Sequence, residues 1–246
     1  MAVGEKVLTV AVCTRNRPRE LRRALVSLVR QTPPLPEILV IDNAPVDGRT
    51  RELVDREFPE VRYQEEPMPG LGFARNRALS AALGDVVAFL DDDAEAPPGW
   101  AAALLAPFEE DRQVAAVAGS DGPRTRLPRE KDDPMPRTGM LVGRVLDLGV
   151  SSLAVHRWRM LRLNGFDEKL EAGSALDALW RLMAAGWAVV VEPAALARQP
   201  QAKDRRKARV AFLAKWVRQA RGRSRLGLIA HLAGQLVTPE GHRHKP

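Results

Sequence analysis

The first part of the chain alternates between short apolar runs and segments with helical spacing. The apolar runs cover residues 7–13, 37–41, 85–90 and 114–118, and a further strand is predicted near residues 61–65. The first helical segment opens at Pro18, and its apolar residues recur on one face, at Leu21, Leu25, Leu28 and Val29. Further helices are predicted over residues 48–57, 70–84 and 98–108. Fully apolar strands separated by helices indicate a parallel sheet covered on both faces. The pattern therefore predicts an α/β fold with a mainly parallel central sheet.

The remainder of the chain has a weaker pattern. Residues 120–137 are polar and contain four prolines, which predicts a mobile loop. Beyond this loop we expect a strand near 145–153, helices near 156–163 and 175–185, and a strand over 188–191. Two more helices are predicted over 203–221 and 226–237. The chain is thus expected to comprise a body, residues 1–197, and a helical tail, residues 198–246.

Charge distinguishes the tail from the body. The 246 residues are 45% hydrophobic and 28% charged, as in ordinary globular proteins. Residues 198–246 contain thirteen Lys or Arg and two acids, a net charge of +11, so residues 1–197 carry −4 of the overall +7. Such a tail indicates either a surface for phosphate-rich partners, meaning anionic lipid or nucleic acid, or a solvated helix pair that promotes solubility.

Two features of the tail bear on its partner. Its aromatic residues are Phe212 and Trp216, too few for a base-stacking platform, so nucleic acid is an unlikely partner. Apolar residues of the second tail helix can form one face, as in a helix at the surface of an anionic membrane: Leu226, Leu228, Ile229, Leu232 and Leu236. The alternative is that this face packs onto the body.

The cysteine content and the distribution of apolar residues bear on the cellular compartment. Cys13 is the single cysteine, which excludes an internal disulfide and fits a reducing cytosol. We find neither an apolar run of 18 residues nor a signal peptide. We therefore expect a cytoplasmic protein, peripheral at the inner face of the membrane where the tail binds lipid.

Polar side chains follow three of the predicted strands. They are Thr14, Arg15, Asn16 and Arg17 after the first, Asp42 and Asn43 after the second, and the triplet Asp91, Asp92 and Asp93 after the fourth. Parallel α/β sheets bind ligands at the carboxyl ends of their strands. The sequence therefore predicts that these segments meet in one binding site.

The aspartate triplet is the candidate metal site. Three carboxylates at the end of a buried strand are costly without a counter-charge. Mg²⁺ typically binds one or two protein carboxylates together with phosphate oxygens and water, and a metal neutralises the charge of a departing diphosphate. The alternative is an acidic loop without a ligand.

Two further segments suit a nucleotide. Asp42 could accept the N–H of a nucleobase, or it could serve as a turn residue. Arg75 and Asn76 begin the helix after Gly70, where backbone N–H groups and a guanidinium suit an anion or a base edge. The alternative for these residues is surface salt bridging.

Taken together, the motifs resemble family 2 of the inverting glycosyltransferases, which have the GT-A fold. The resemblance rests on the stretches VAVCTRNRPRELRRALVSLVRQT, PEILVIDNAPVDG, PGLGFARNRALSAALGDVVAFLDDDAEAPPGW, NGFDEKL and LDALWRLMAAGWAVVVEPAA. It implies a nucleotide-diphosphate sugar donor, Mg²⁺ or Mn²⁺, and an acceptor hydroxyl that attacks in one displacement. It also divides the body into a nucleotide-sugar-binding half, residues 1–119, and an acceptor half, residues 120–197.

The same resemblance implies roles for individual residues. Donor contacts are expected from Thr14, Arg15, Arg17, Asp42, Arg75, Asn76, Asp91 and Asp92. Metal ligands are expected to be Asp91 and Asp93.

The chain departs from the family pattern at the general base. Relatives open the helix near 175 with Glu-Asp-x-Asp, whereas this chain has Gly-Ser-Ala-Leu-Asp, so only Asp177 survives. Asp177 is our candidate base, with a partner of the helix dipole as the alternative. Glu168 and Glu171 are weaker candidates for the base, with solvent-facing loop charges as the alternative.

Two other family features are missing. Relatives often carry a His near the diphosphate, where this chain has Arg198-Gln199-Pro200. A Gln-x-x-Arg-Trp motif of processive synthases is also absent, which favours transfer of a single sugar. Two hypotheses follow: an active transferase, or a catalytically weakened homologue that binds a nucleotide sugar as a non-catalytic partner.

Overall fold

Eight strands form one sheet in the computed structural model, which describes residues 6–120, 123–127, 152–170, 172–199 and 205–219, with side chains in the last segment described for 209–216. The strands are β1 (Leu8–Thr14), β2 (Glu37–Asn43), β3 (Arg62–Glu66), β4 (Val86–Asp91), β5 (Val114–Gly119), β6 (Thr125–Leu127), β7 (Ser152–His156) and β8 (Ala188–Glu192). Their order across the sheet is β3-β2-β1-β4-β7-β5-β8-β6.

The direction of the strands brings three strand ends together. β1 pairs in parallel with both β2 and β4, and Thr14 lies opposite Asp42 while Cys13 lies opposite Asp91. β7 runs antiparallel between β4 and β5, and β6 runs antiparallel to β8 at the edge. The prediction of a mainly parallel sheet is confirmed, and the polar segments after β1, β2 and β4 share one edge.

Helices cover both faces of the sheet. They are α1 (Pro18–Val29), α2 (Arg49–Glu57), α3 (Leu71–Ala81), α4 (Trp100–Glu110), α5 (Arg157–Arg162), α6 (Ser174–Ala184) and α7 (Arg205–Gln219), with a short 3₁₀ helix at Pro193–Ala195. In β1, Val10 and Val12 face the core under α1, α2 and α4, whereas Ala11 faces the core under α3, α5, α6 and α7. This alternation explains why the central strands are apolar along their whole length, whereas β3, at the edge of the sheet, is polar.

Two predicted segments of the acceptor half need correction. The strand expected near 145–153 is β7, at Ser152–His156, and residues 145–150 lie outside the described residues. The stretch 120–137, predicted to be a loop, contains β6, which pairs with β8. A strand of three residues is too short to show the alternation of apolar and polar residues from which a strand is predicted.

The tail begins as part of the body's core. α7 buries Phe212 and Leu213 completely, and the ring of Phe212 lies 6.3 Å from that of Trp180 in α6. The predicted helix over 226–237 lies outside the described residues. Within the ranges that the structure describes, no helix is long and apolar enough to cross a membrane.

Helix α3 packs tightly against the loop that follows α5. A Cβ on Gly72 would lie 2.7 Å from the Cα of Glu168 and 2.8 Å from the carbonyl oxygen of Asp167. Such distances do not occur in relaxed proteins, and both neighbours are backbone atoms. The absence of a side chain at position 72 therefore lets the two halves of the body approach.

We predict that Gly72→Ala destabilises the protein by about 1–3 kcal/mol, because overpacking against backbone outweighs the gain of about 1 kcal/mol in helix propensity. Gly48→Ala, at the start of α2, is the matched control, since its Cβ would meet nothing closer than 3.8 Å. Urea denaturation measures both variants. Equal stability of Gly72→Ala and the wild type would show that the two halves are not locked by this contact.

Candidate active site

A cavity of about 280 Å³ opens at the carboxyl ends of β1 and β4 and at the start of α3. Its lining residues are Cys13, Thr14, Arg15, Arg17, Asn43, Gly70, Leu71, Ala74, Asp91 and Asp92. Five of the residues that we predicted as donor contacts therefore line one cavity: Thr14, Arg15, Arg17, Asp91 and Asp92.

Asp92 is the buried anchor of this cavity. β4 is followed by a turn that contains Asp92. A hydrogen bond from the Ala94 N–H to the Asp91 carbonyl closes this turn. The carboxylate of Asp92 accepts 2.9 Å from the Thr14 hydroxyl and 2.8 Å from the Arg17 guanidinium. Only 8% of the Asp92 side chain is exposed. These bonds join the end of β1 to the end of β4.

Asp91 and Asp93 have different surroundings from Asp92. The carboxylate of Asp91 accepts 2.9 Å from the side-chain amide of Gln199. Asp93 lies 3.4 Å from the Arg17 guanidinium, a weaker contact, and a fifth of its side chain is exposed. Asp91 lines the cavity together with Asp92, whereas Asp93, the other predicted metal ligand, is not among its lining residues.

The donor chemistry of this region suits a hard divalent cation. Within the described parts of the chain, no three His, Cys, Asp or Glu side chains are already clustered as a metal site. Carboxylate oxygens of Asp91 and Asp93 nevertheless flank the same turn, and Mg²⁺ needs only one or two of them when phosphate supplies the rest. The chemistry of these two carboxylates therefore fits a divalent cation whose other ligands are phosphate and water.

Asp42 lies beside this cavity and does not line it. Its carboxylate is fully buried and accepts 2.9 Å from the Tyr63 hydroxyl, while its second oxygen, Oδ1, is buried without a hydrogen-bond partner. Burial raises the pKa of Asp42 above its usual value. The side chain of the neighbouring Asn43 holds the loop before α3 against the end of β2. It accepts a hydrogen bond from the Gly70 N–H at 2.8 Å and donates one to the Met68 carbonyl at 2.7 Å.

Arg75 and Asn76 point away from the cavity, toward the acceptor half. Arg75 donates to the Ser174 hydroxyl at 2.7 Å, and its guanidinium lies 5.4 Å from the ring centre of Phe166. Asn76 donates to the Phe166 carbonyl and to Glu168, and accepts from the Phe166 N–H at 2.7 Å. The contacts that we predicted with the donor are here contacts between the two halves of the body.

Cys13 lies on the floor of the cavity. Burial raises the pKa of its thiol to about 12, so the thiol stays protonated at neutral pH. A protonated, buried thiol is a poor nucleophile. Cys13 therefore contributes shape to the cavity.

Asp177 does not lie in the cavity. It is completely buried in the first turn of α6, where one oxygen accepts from Arg181 at 2.8 Å and the other accepts from Lys215 at 2.6 Å and from the Trp216 indole at 3.0 Å. An acceptor hydroxyl cannot reach it in this arrangement, so its role as general base stays a prediction. Among the weaker candidates, Glu168 accepts from Asn76, and Glu171 lies outside the described residues.

Sequence reasoning placed Asn43 in the site without its contacts, and it gave no role to Tyr63 or Gln199, which lie beside the cavity. Tyr63 and Asn43 support Asp42 and Gly70, and Gln199 contacts Asp91. The contact of Tyr63 with Asp42 was predictable in principle, because β3 pairs with β2, the strand that contains Asp42. Gln199 had no such signal because it reaches Asp91 from more than a hundred positions along the chain.

A mainly parallel sheet with a polar cavity at its carboxyl edge defines an α/β protein of the class that binds ligands at strand ends. The family model described as glycosyl transferase family 2 matches residues 9–168. The chain belongs to this family.

Relatives of known sequence agree with the family assignment. The chain is 32% identical over 210 residues to the pre-mycofactocin glycosyltransferase of Mycobacterium tuberculosis, covering 77% of this chain and 42% of that protein. It is 29% identical over 234 residues to the succinoglycan biosynthesis protein ExoM of Rhizobium meliloti, covering 85% of this chain and 71% of that protein. The chain thus spans less than half the length of the first of these relatives.

Solved structures share the fold, which confirms the GT-A prediction. The mannosyltransferase PcManGT of Pyrobaculum calidifontis, in complex with GDP-Man and Mn²⁺, matches with a TM-score of 0.66 at 22% identity over 94% of this chain and 70% of that chain. GalNAc-T7 with UDP, GalNAc and Mn²⁺ matches with a TM-score of 0.63 at 19% identity, over 81% of this chain and 44% of that chain.

We predict that Asp177→Asn destabilises the protein by about 3–5 kcal/mol, because a neutral amide leaves Arg181 and Lys215 without their buried counter-charge. Asp55→Asn, on the exposed face of α2, is the matched control and should change stability by less than about 0.5 kcal/mol. Thermal and urea unfolding measure both variants. A stable Asp177→Asn protein would contradict the anchoring role.

Proposed function

We propose that the chain is a glycosyltransferase that moves one sugar from a nucleotide-diphosphate sugar to an acceptor hydroxyl, with inversion and with a divalent metal. The observation that carries the proposal is the cavity at the ends of β1 and β4, which is lined by the cationic Arg15 and Arg17 and by the acidic Asp91 and Asp92. The family and the metal-bound neighbours support it.

The cavity offers separate partners for the parts of the donor. Gly70 and Leu71 place the amino end of α3 at the cavity, where backbone N–H groups suit a diphosphate. Arg15 and Arg17 line the same space and add positive charge. Beside the cavity and outside its lining, the buried Oδ1 of Asp42 suits a base N–H, and the Tyr63 hydroxyl holds the other oxygen of that carboxylate in place.

Mg²⁺ or Mn²⁺ would be held by Asp91 and Asp93. When bound, the metal stabilises the negative charge of the leaving diphosphate. Asp92 keeps the turn that carries both carboxylates fixed against β1, through Thr14 and Arg17. In the displacement, the acceptor oxygen bonds to the anomeric carbon, the bond to the diphosphate breaks, and the hydroxyl proton passes to a base.

The identity of that base separates an active transferase from a binding protein. To act as the base, Asp177 has to exchange its bonds with Lys215 and Trp216 for one with the acceptor. The burial of Asp177 favours a second candidate function, in which a weakened homologue binds a nucleotide sugar as a non-catalytic partner. General-base assistance typically contributes roughly 10²–10⁴ in rate, so its loss need not abolish transfer.

We predict that UDP or GDP binds in the presence of Mn²⁺ and that Asp93→Ala weakens this binding by roughly a hundredfold. Asp93 is partly exposed, so its removal should leave the fold intact. Calorimetry measures the affinity, and circular dichroism checks the fold. Asp55→Ala, an acid of the exposed face of α2, controls for the loss of one negative charge.

Unchanged nucleotide affinity in Asp93→Ala would contradict the proposal that Asp93 is a metal ligand. Release of nucleoside diphosphate from UDP- and GDP-sugars then separates the two candidate functions. Turnover of either donor on water or on an added acceptor supports the transferase. Metal-dependent binding without turnover supports the binding protein.

A further inference from the structure

Three exposed apolar residues lie at the amino ends of β1 and β4, the edge of the sheet opposite the cavity. They are Val7, Leu83 and Trp158, which are 45%, 74% and 59% exposed. Val7 precedes β1, Leu83 precedes β4, and Trp158 lies in α5, which begins where β7 ends beside β4. These residues are distant in sequence, so the sheet brings them to one edge. We call them the amino-edge patch.

Hydrogen bonds hold the amino-edge patch in place. The carboxylate of Asp85 accepts from the Val7 N–H at 3.3 Å, and the Asp85 carbonyl accepts from the Arg157 N–H at 2.9 Å. The Arg157 side chain donates to two carbonyls at the end of α3, at 2.7 and 3.2 Å. Leu83 lies between the end of α3 and Asp85. The patch is therefore a fixed feature of the fold.

Cationic side chains accompany the patch. The Arg157 guanidinium lies 5.1 Å from the ring centre of Trp158. Arg162 is exposed and follows Trp158 by four residues, which places the two side chains on the same face of α5. Lys6 is next to Val7 in the chain. The edge therefore presents apolar and cationic groups together.

The electrostatic field at this edge is positive. Burial, followed by the charges of Arg159 and Lys6, lowers the pKa of His156, at the end of β7, to about 4. Each of these two cations has a larger effect on that pKa than the opposing charge of Asp85. Glu37, an acid at the same edge, is buried within an ion pair. The patch is thus suited to a partner that carries negative charge.

We propose that the amino-edge patch docks the protein on an anionic lipid surface. A tryptophan beside exposed aliphatic side chains and cations has the chemistry of an interfacial anchor, because the ring enters the boundary between headgroups and acyl chains while the cations meet lipid phosphates. A second copy of this chain fits less well, because a two-fold contact would bring two patches of the same charge together. The cavity lies at the opposite edge, so docking leaves it open and does not depend on the proposed function.

Sedimentation of the full chain with lipid vesicles tests the proposal. The vesicles contain equal parts of phosphatidylcholine and phosphatidylglycerol, and pure phosphatidylcholine is the uncharged comparison. The wild type should bind the anionic vesicles and lose this binding as salt is raised. Trp158→Ser and Leu83→Ser should each weaken binding roughly tenfold, because each removes apolar surface that enters the membrane. Arg162→Gln should weaken binding roughly fivefold.

Matched controls come from exposed positions away from the patch. Val46→Ser lies in the loop after β2, at the opposite edge of the sheet, and Arg23→Gln lies on α1, on the other face. Both should leave vesicle binding unchanged. Because all the substituted side chains are exposed, the unfolding temperature of every variant should equal that of the wild type.

Three results would overturn the proposal. The first is absence of binding by the wild type. The second is equal binding by the wild type, Trp158→Ser and Leu83→Ser, which would assign the binding to another surface such as the basic tail, present in every variant. The third is a dimer in light scattering that Trp158→Ser dissociates, because a second copy would then cover the patch. Metal-dependent nucleotide binding, measured separately, should be the same in all variants.

Discussion

The buried carboxylate of Asp92 determines how the two central strands end. A charged group with so little exposed surface is stable only when hydrogen bonds and a counter-charge satisfy it. Thr14, the last residue of β1, and Arg17, three residues further along, supply both, and β1 is next to β4 in the sheet. The same turn places Asp91 and Asp93 on either side of Asp92. The wall of the cavity and the position of its candidate metal ligands therefore depend on one buried interaction.

The donor half and the acceptor half are joined through α3. Its amino end lines the cavity, while Gly72, Arg75 and Asn76 contact the loop after α5 or the start of α6. α6 is in turn tied to α7, because Asp177 accepts from Lys215. A helix that contacts the cavity at one end and residues 166–174 along its side fixes the position of these two parts of the body relative to each other. The first tail helix is thereby part of the structure that supports the cavity.

The sequence predicted the fold well because its central strands are apolar and most strands are separated by helices. The sequence also predicted that Thr14, Arg17, Asp91 and Asp92 lie in one site, because parallel strands end at the same edge of a sheet. It did not predict the surroundings of Asp177, because Lys215 and Trp216 come from a helix whose docking has no local signal. β6 and Gln199 were missed for a related reason: a short edge strand and a contact distant in sequence leave no periodic pattern.

We propose that the carboxyl end of β4 binds a divalent metal together with a nucleoside diphosphate. The most direct measurement is the anomalous scattering of Mn²⁺ in crystals grown with Mn²⁺ and UDP or GDP. We expect an anomalous peak within roughly 2.5 Å of a carboxylate oxygen of Asp91 or Asp93, with the diphosphate in the same cavity. A metal or nucleotide bound away from the carboxyl ends of β1 and β4 would contradict the account.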